Sequence, residues 1–466
     1  MTIINAKELI IMIQKKSYEM DMCHGPLLGK ILIFSIPLVL SGILQLLFNA
    51  ADIVVVGRYA GSNALASVGA TSALINLLIN VFIGLSIGSN VLVARYYGAK
   101  NIQATQETLH TSILLSLLSG LALAFIGFFL SNPLLILMGT PNDVLPLATL
   151  YMKIYFLGMP ATMVYNFGSA ILRAIGDTKR PLYFLSCAGI VNVALNLFFV
   201  IVFNMSVAGV ALATVIAQCI SALLIIRTLM KQEGPCHLNL HKLRLSKRKV
   251  IEIIQVGLPA GVQGAIFSIS NVLIQSSINE FGALAMAGST ASANIEGFIY
   301  IAMNSIYQTA LSFTSQNYGA KQYDRIRKIL RICLGIVVVV GLSMGLIALL
   351  FCHQLLGIYS SDAEVITFGI KRLSIICSTY FLCGMMDVMV GSLRGLGYSM
   401  LPMIVSLIGA CGLRIVWIFT IFQMHHTLST LYISYPITWI ITFCAHLVCY
   451  LLIQKGKIHP SFGKTA

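Results

Sequence analysis

Charge is what this 466-residue sequence has least of: Asp, Glu, Lys and Arg make up 10% of it, with 15 acidic residues against 30 basic ones. About a quarter of an ordinary soluble globule is charged, so that class is excluded. A disulfide frame is missing too. The eleven cysteines are odd in number, scattered and free of any C-x-x-C pair, which makes them small apolar side chains. The alternating apolar–polar pattern of a membrane barrel is absent, leaving helices as the only structure able to cross a bilayer. Paired aspartates suited to membrane-embedded chemistry are not found, and the chain is read as a non-enzyme without cofactor or metal. Residues 1–19 lack the clean apolar core and small-residue cleavage site of a signal peptide. They read as a loose extension, with Met20 or Met22 as alternative starts.

What is there instead is apolar surface: 58% of residues are hydrophobic and the mean hydropathy is +0.90. A hydrocarbon layer about 30 Å thick takes roughly 20 residues per helix. Twelve runs qualify, near 32–56, 64–93, 109–130, 146–172, 182–204, 207–229, 250–278, 283–316, 331–352, 365–393, 402–423 and 430–453. The expected fold is an all-α polytopic membrane protein, with twelve transmembrane helices in two pseudo-symmetric six-helix bundles around a central cavity.

A net charge of +15 could signal nucleic acid, but its placement argues otherwise. All lysines and arginines except Arg58, Lys153, Lys371, Arg372 and Arg414 fall in the terminal tails, the even-numbered connections or the helix ends beside them. The opposite connections 131–145 and 353–364 carry Asp143, Asp362 and Glu364 and no Lys or Arg. This is the positive-inside asymmetry, with both termini cytoplasmic. Within the linker, Cys236, His237 and His241 could ligate a metal, although a solvated loop is the simpler reading.

The chain is also written twice. "YYGAK" at 96–100 returns as "NYGAK" at 317–321, "LRAIGDTKRP" at 172–181 as "LRGLGYSMLP" at 393–402, and "SIPLVLSGILQLLFNAAD" at 35–52 as "GLPAGVQGAIFSISNVLI" at 257–274, all 221 or 222 residues apart. The expected organisation is an N-terminal tail (1–26), a six-helix half (27–230), a basic cytoplasmic linker (231–249), a second half (250–454) and a tail (455–466). Parallel repeats of this kind are used by transporters that rock two halves about a central site. As local structure, G-A-K and L-R-x-x-G read as helix ends with Gly at the C-cap.

An ionisable group at the bilayer centre costs about 2.5–3.5 kcal/mol, so each needs a reason. Ser41, Gln45, Asn49 and Asp52 form one helical stripe. With Asn192 and Asn196 one turn apart, Tyr151 and Thr214, they make an oxygen-rich set suited to H+ or Na+ and not to a soft metal. In the second half Asp52 aligns with Ile274, and the stripe Ser268, Asn271, Gln275 and Asn279 is neutral. Glu296 shares a face with Tyr300, Asn304 and Tyr307, and Asp387 sits among Met385, Met386 and Met389. Together with Gln275 these are the candidate lining for lipophilic cations. Competing readings pair Asp52 with Arg58 and Asp387 with Arg394, make Glu296 a packing hydrogen bond and the methionines filler, and put Lys371 and Arg372 at a helix edge. Arg414 has no evident partner. Pro37 is the expected hinge of the first span.

The pattern P-x(7)-Q-x(3)-N-x(2)-D-x(4)-G from Pro37 to Gly57, the repeated G-A-K and L-R-x-x-G marks and the two-half plan resemble the multidrug and toxic compound extrusion (MATE) family. "ANIEGFIY" and "SFTSQNYGAK" are similar to its bacterial DinF-like branch. The resemblance implies an antiporter of the bacterial cytoplasmic membrane. It would work as a monomer among lipids, exporting small organic cations against H+ or Na+ and binding no nucleic acid. It places the ion site on Asp52, Tyr151, Asn192 and Thr214. A second aspartate often follows the Asn192 position by one turn; Asn196 stands there instead, which favours H+ over Na+. The alternative is a flippase for lipid-linked precursors, which would line its cavity with Lys and Arg. The acidic lean of the intramembrane charges speaks against it.

Overall fold

The computed structural model describes residues 18–456, whose regular elements are all helical. The first half comprises α1 (Leu27–Tyr59), α2 (Ser62–Gly98), α3 (Ile102–Leu137), α4 (Leu145–Leu157), α5 (Met159–Ala174), α6 (Lys179–Leu197) and α7 (Ser206–Lys231). The second comprises α8 (Lys247–Asn279), α9 (Ala283–Gly319), α10 (Tyr323–Leu350), the short α11 (Cys352–Gly357), α12 (Ala363–Gly395), α13 (Met400–Ser406), α14 (Leu413–Phe419), α15 (Ile421–Met424) and α16 (Leu428–Gln454). The expected span 146–172 is bent by 48° between α4 and α5, where Gly158 packs against Val215 and Pro160 opens the second piece. A π-helical stretch, Leu407–Gly412, joins α13 to α14, and another, Phe198–Val202, ends α6.

Among the described residues ten helices are individually long and apolar enough to cross a bilayer, and the bent pair makes an eleventh span. The twelfth expected span, α9, has the same 37-residue length as α2 but too many polar side chains to stand out by hydropathy. Ser289, Ser292, Thr309, Ser312, Thr314 and Gln316 are all buried, packed between α12 on one side and α2 on the other. Protein, not lipid, solvates this helix.

The internal repetition extends to backbone detail. Gly61 and Gly282 precede α2 and α9 with φ of 89° and 91°, and Gly176 and Gly397 follow α5 and α12 with φ of 91° and 98°. The G-A-K strings end α2 and α9, but their glycines are not the caps. Lys100 and Lys321 take the left-handed position, at φ 56° and 58°. The closing bonds run from Asn101 N to Tyr96 O and from Gln322 N to Asn317 O, a Schellman pattern. Gly98 and Gly319 serve contact between the halves: a Cβ on Gly98 would stand 2.0 Å from the Gln316 carbonyl oxygen, and one on Gly319 1.9 Å from that of Arg95.

Further glycines cross where α2 meets α8. A Cβ on Gly84 would lie 2.3 Å from Gly261 N, one on Gly88 2.3 Å from Ile253 O, and one on Gly257 2.6 Å from Leu85 Cα. Two G-x-x-x-G pairs, Gly84/Gly88 and Gly257/Gly261, thus bring backbones together as small residues do in membrane helix pairs. The string 84–88 formally reads G-x-S-x-G, but it lies inside α2, without the strand-to-helix turn a nucleophile elbow requires. These crossings occupy the last part of α2 and the first part of α8. The two halves therefore meet at the end of the bundle that carries the basic loops, the basic end.

The N-terminal residues within the described range form a strap across that end. Met22 is fully buried; its N–H donates to Gln316 Oε1 at 3.2 Å, and its carbonyl accepts from Asn317 Nδ2 at 3.1 Å and Arg325 Nε at 3.2 Å. On the other half Met20 N donates to Ile175 O, Tyr97 Oη donates to Glu19 at 2.9 Å, and Gln232 also donates to Glu19. The loose extension expected for 1–19 lies, up to residue 17, outside the described residues. From Glu19 onward the chain is tied to both halves.

Packing also divides α1. Its first turns, with Leu27, Ile31 and Phe34, belong to a core made mainly by α9, α10 and α12; Phe34 meets Phe313 edge-on at 5.4 Å, and Ser35 shares a 2.8 Å hydrogen bond with Thr309. Its later turns pack on α6, where Phe48 fills the space left by Gly189. Pro37 sits at the junction. The helix is continuous through it, and Ser41 Oγ takes up the Pro37 carbonyl at 2.8 Å.

The basic linker is shorter than 231–249, because α7 runs to Lys231 and α8 starts at Lys247. It is not wholly solvated: Cys236 and Leu238 are 1% exposed, and burial pushes the Cys236 thiol up to about 12. Among the described residues no three His, Cys, Asp or Glu side chains are placed to hold a metal.

Candidate functional site

The packing of α1 on α6 sets Asp52 opposite Asn196. Asn196 is fully buried, and its amide donates to the Asp52 carboxylate. The chain continues inward: Asn196 Nδ2 also reaches Asn192 Oδ1 at 3.3 Å, and Asn192 Nδ2 donates to Thr214 Oγ1 at 3.2 Å on α7. Thr214 Oγ1 in turn donates to the Val210 carbonyl at 3.0 Å. Four of the sequence-predicted residues, from three helices, thus form one hydrogen-bonded line. Tyr151 is buried in the same half, its ring stacked 5.9 Å from that of Tyr155. Arg58 is exposed and forms no ion pair among the described residues, so the partner of Asp52 is an amide. Gln45 and Asn49, on the same stripe, are exposed and not part of the line.

Chemically the line is one-sided. Amide donors and hydroxyls can satisfy a carboxylate, yet no fixed cation among the described residues neutralises it. A buried oxygen, Asn196 Oδ1, is left without a partner. Such a site takes up a proton or a small cation more readily than it holds a bare charge.

In the second half the candidate acids behave differently from each other. Glu296 is not a free carboxylate: Arg372 donates to both of its oxygens at 2.8 Å and to Ser289 Oγ at 2.7 Å. Arg372 is 7% exposed and lies within α12, which corrects its placement at a helix edge. The signal available in the sequence was electroneutrality, since two opposite intramembrane charges need each other. Replacing Glu296 by Gln leaves Arg372 buried and unpaired. The expected cost is about 3–5 kcal/mol, read as a lower melting temperature in detergent; Glu296→Gln with Arg372→Met should recover most of it.

Asp387 is 9% exposed, and its Oδ2 is buried without a partner. It does not pair with Arg394, whose guanidinium donates at 2.8 Å both to Tyr307 Oη and to Gln263 Oε1. Gln263 was not among the predicted residues; it lies off the α8 polar stripe, and the signal available was its alignment with Ser41 in the repeat. Tyr300 lies near Asp387 and Asn304. Gln275 is remote from this group in its bonding, donating to Asn279 at 3.1 Å. Met386 and Met389 are core residues, 2% and 0% exposed.

The interior charge balance is also corrected. With Glu296 cancelled, the second half holds one further acid, Asp387, and two further arginines, Arg394 and Arg414. The intramembrane charges do not lean acidic there.

Comparison with known families places this arrangement. The MatE family model matches residues 37–198 and again 259–420, two windows separated by the repeat offset and covering more than half of the chain. The chain belongs to the MatE family. This MatE protein is a multi-pass membrane transporter and not an enzyme. It is 26% identical over 435 residues to a protein of Bacillus subtilis named "Probable multidrug resistance protein YoeA", covering 91% of this chain and 94% of the relative. It is 29% identical over 403 residues to "Probable multidrug resistance protein YpnP" of the same organism, covering 84% and 88%. Among solved structures it is similar to one described as the outward-facing conformation of a multidrug resistance MATE family transporter, with a TM-score of 0.87 at 21% identity over 94% of this chain and 98% of the other. That likeness supports the two-bundle fold. The first MatE window contains Asp52, Asn192 and Asn196; the second contains Glu296, Arg372, Asp387 and Arg414.

Proposed function

We propose that this MatE protein is a multidrug exporter that moves lipophilic organic cations out of the cell in exchange for H+ taken up at Asp52. The observation that carries the reading is the line from Asp52 through Asn196 and Asn192 to Thr214, an uncompensated carboxylate held by amides inside the apolar first half. With the basic end on the cytoplasmic side, the halves touch on that side, so the state described here is closed to the cytoplasm. Protonation of Asp52 removes the only charge on the line and frees α1 to repack about Pro37, the point where its two anchorages meet. Asn196 leaves the site one carboxylate short of a strong Na+ ligand set, which supports H+ as the coupling ion.

Charge arithmetic sets the driving force. One elementary charge crossing 100 mV is worth about 2.3 kcal/mol, but one H+ exchanged for one monovalent cation moves no net charge. Transport of ethidium in proteoliposomes, with pH and Na+ gradients imposed separately, tests the reading. A pH gradient alone is expected to drive uptake, and a membrane potential alone is not. Uptake that follows only the Na+ gradient would reassign the coupling ion.

A further inference from the structure

Arg414 is the interior charge that the exchange cycle leaves unused. It lies midway along the span built from α13 to α15, just after the π-helical stretch, and is 6% exposed. The other two interior arginines of this half are accounted for: Arg372 by the two oxygens of Glu296, Arg394 by Tyr307 and Gln263, with Asp387 two turns away along α12. Arg414 forms no ion pair among the described residues. Its single hydrogen bond, from Nη2 to Thr438 Oγ1, is long at 3.3 Å, and its buried Nε has no partner. A guanidinium carries five donors and never gives up its proton in a protein, so most of its hydrogen-bonding capacity is unanswered and no carboxylate among the described residues neutralises its charge.

The surroundings of that charge are aromatic. Its guanidinium carbon stands 4.1 Å over the ring of Tyr435. Tyr435 meets Trp439 at 5.5 Å, and Trp439 stacks on Tyr380 at 5.4 Å with the planes 28° apart. Trp439 is 5% exposed, but both tyrosines are only half-buried, so the row is reachable at its two tyrosines. A cation with open donors at the end of a row of rings matches a planar aromatic compound carrying a carboxylate, sulfonate or phosphate.

We propose that Arg414, Tyr435, Trp439 and Tyr380 form an aromatic-anion subsite in the second half, which extends the transported compounds from cations to planar anions. The subsite rests on the exporter reading only for the direction of transport. Its chemistry is opposite to that of Asp52, and the two sites lie in different halves.

The test follows fluorescein, an anionic dye with a planar xanthene and a pendant benzoate, and ethidium, a cationic dye with a planar phenanthridinium, in parallel with purified full-length protein. Wild type is expected to bind fluorescein saturably by fluorescence polarisation and to move it in proteoliposomes. Arg414→Gln should cut both signals at least about tenfold, the scale of one charge-assisted hydrogen bond, with ethidium transport within about twofold of wild type. Arg414→Lys, which keeps the charge but loses the planar fork, should fall between. Wild-type protein that moves ethidium but neither binds nor moves fluorescein overturns the subsite and leaves the exporter reading intact; failure to move ethidium counts against that reading instead. Equal loss of both dyes in a folded Arg414→Gln protein assigns Arg414 to packing and overturns the proposal. Should Arg414→Gln not fold, Tyr435→Leu decides: unchanged fluorescein binding by that variant overturns the subsite.

Discussion

Asp52→Asn is expected to abolish pH-driven ethidium transport while leaving the protein folded. The substitution is nearly isosteric, and an amide at position 52 can still accept from Asn196, so the α1–α6 contact survives. Removing a charge from the membrane interior costs nothing in stability and relieves desolvation. What is lost is the ability to alternate between a charged and a neutral side chain. The folded state should therefore melt at or above the wild-type temperature, while transport driven by a pH gradient falls to the level of protein-free vesicles. Counterflow of labelled against unlabelled ethidium, which needs no net proton movement, separates binding from coupling. Full pH-driven transport by the variant would remove Asp52 from the mechanism.

Gly257→Val should have the second large effect, and it acts on the halves themselves. The added Cβ would stand 2.6 Å from Leu85 Cα and 2.8 Å from the Gly84 carbonyl, both backbone atoms of α2 that cannot rotate away. Overpacking of this kind costs typically about 1–3 kcal/mol, here charged to the state in which the basic end is closed. At roughly 1.4 kcal/mol per tenfold, the closed population should drop by about five- to 150-fold relative to the open one. Hydrogen exchange is expected to speed up in residues 18–26 and 84–98 together, and net efflux to fall. Gly297→Ala is the control, since a Cβ there meets nothing within 4 Å. Unchanged exchange in Gly257→Val would show that the crossing does not set the closed state.

Much of this organisation was legible in the sequence, because its causes are local or compositional. Apolar runs mark the twelve expected spans, and the offset between "YYGAK" and "NYGAK" marks the repetition. What hydropathy undervalues is α9, whose Ser, Thr and Gln side chains are solvated by neighbouring helices. The G-A-K glycines were legible as special but not in their role: a C-cap is a local event, whereas the contact of Gly98 with the Gln316 carbonyl joins residues more than two hundred positions apart. In the first half, helical spacing on one stripe found Asp52, and the repetition showed that it stands alone. Its neighbours Asn192, Asn196 and Thr214 came together as the oxygen-rich set implied. In the second half the same reasoning named Glu296 without seeing Arg372, because charge pairing between helices leaves no periodic trace. Gln45 and Asn49 share the stripe but not the hydrogen bonds, since a helical face is wider than one contact line.

The strap and Asp52 are two ends of one rod. Residues 19–24 grip both halves at the basic end, and only a few residues later the chain enters α1, 33 residues without interruption and so about 50 Å long. Asp52 lies seven residues before the far end of that rod. Under the proposed H+ coupling, repacking of α1 beyond Pro37 and release of Met22 at its near end act on one continuous helix. The proposed proton site and the strap need no relay through side chains to be linked; they are joined by a single stretch of backbone.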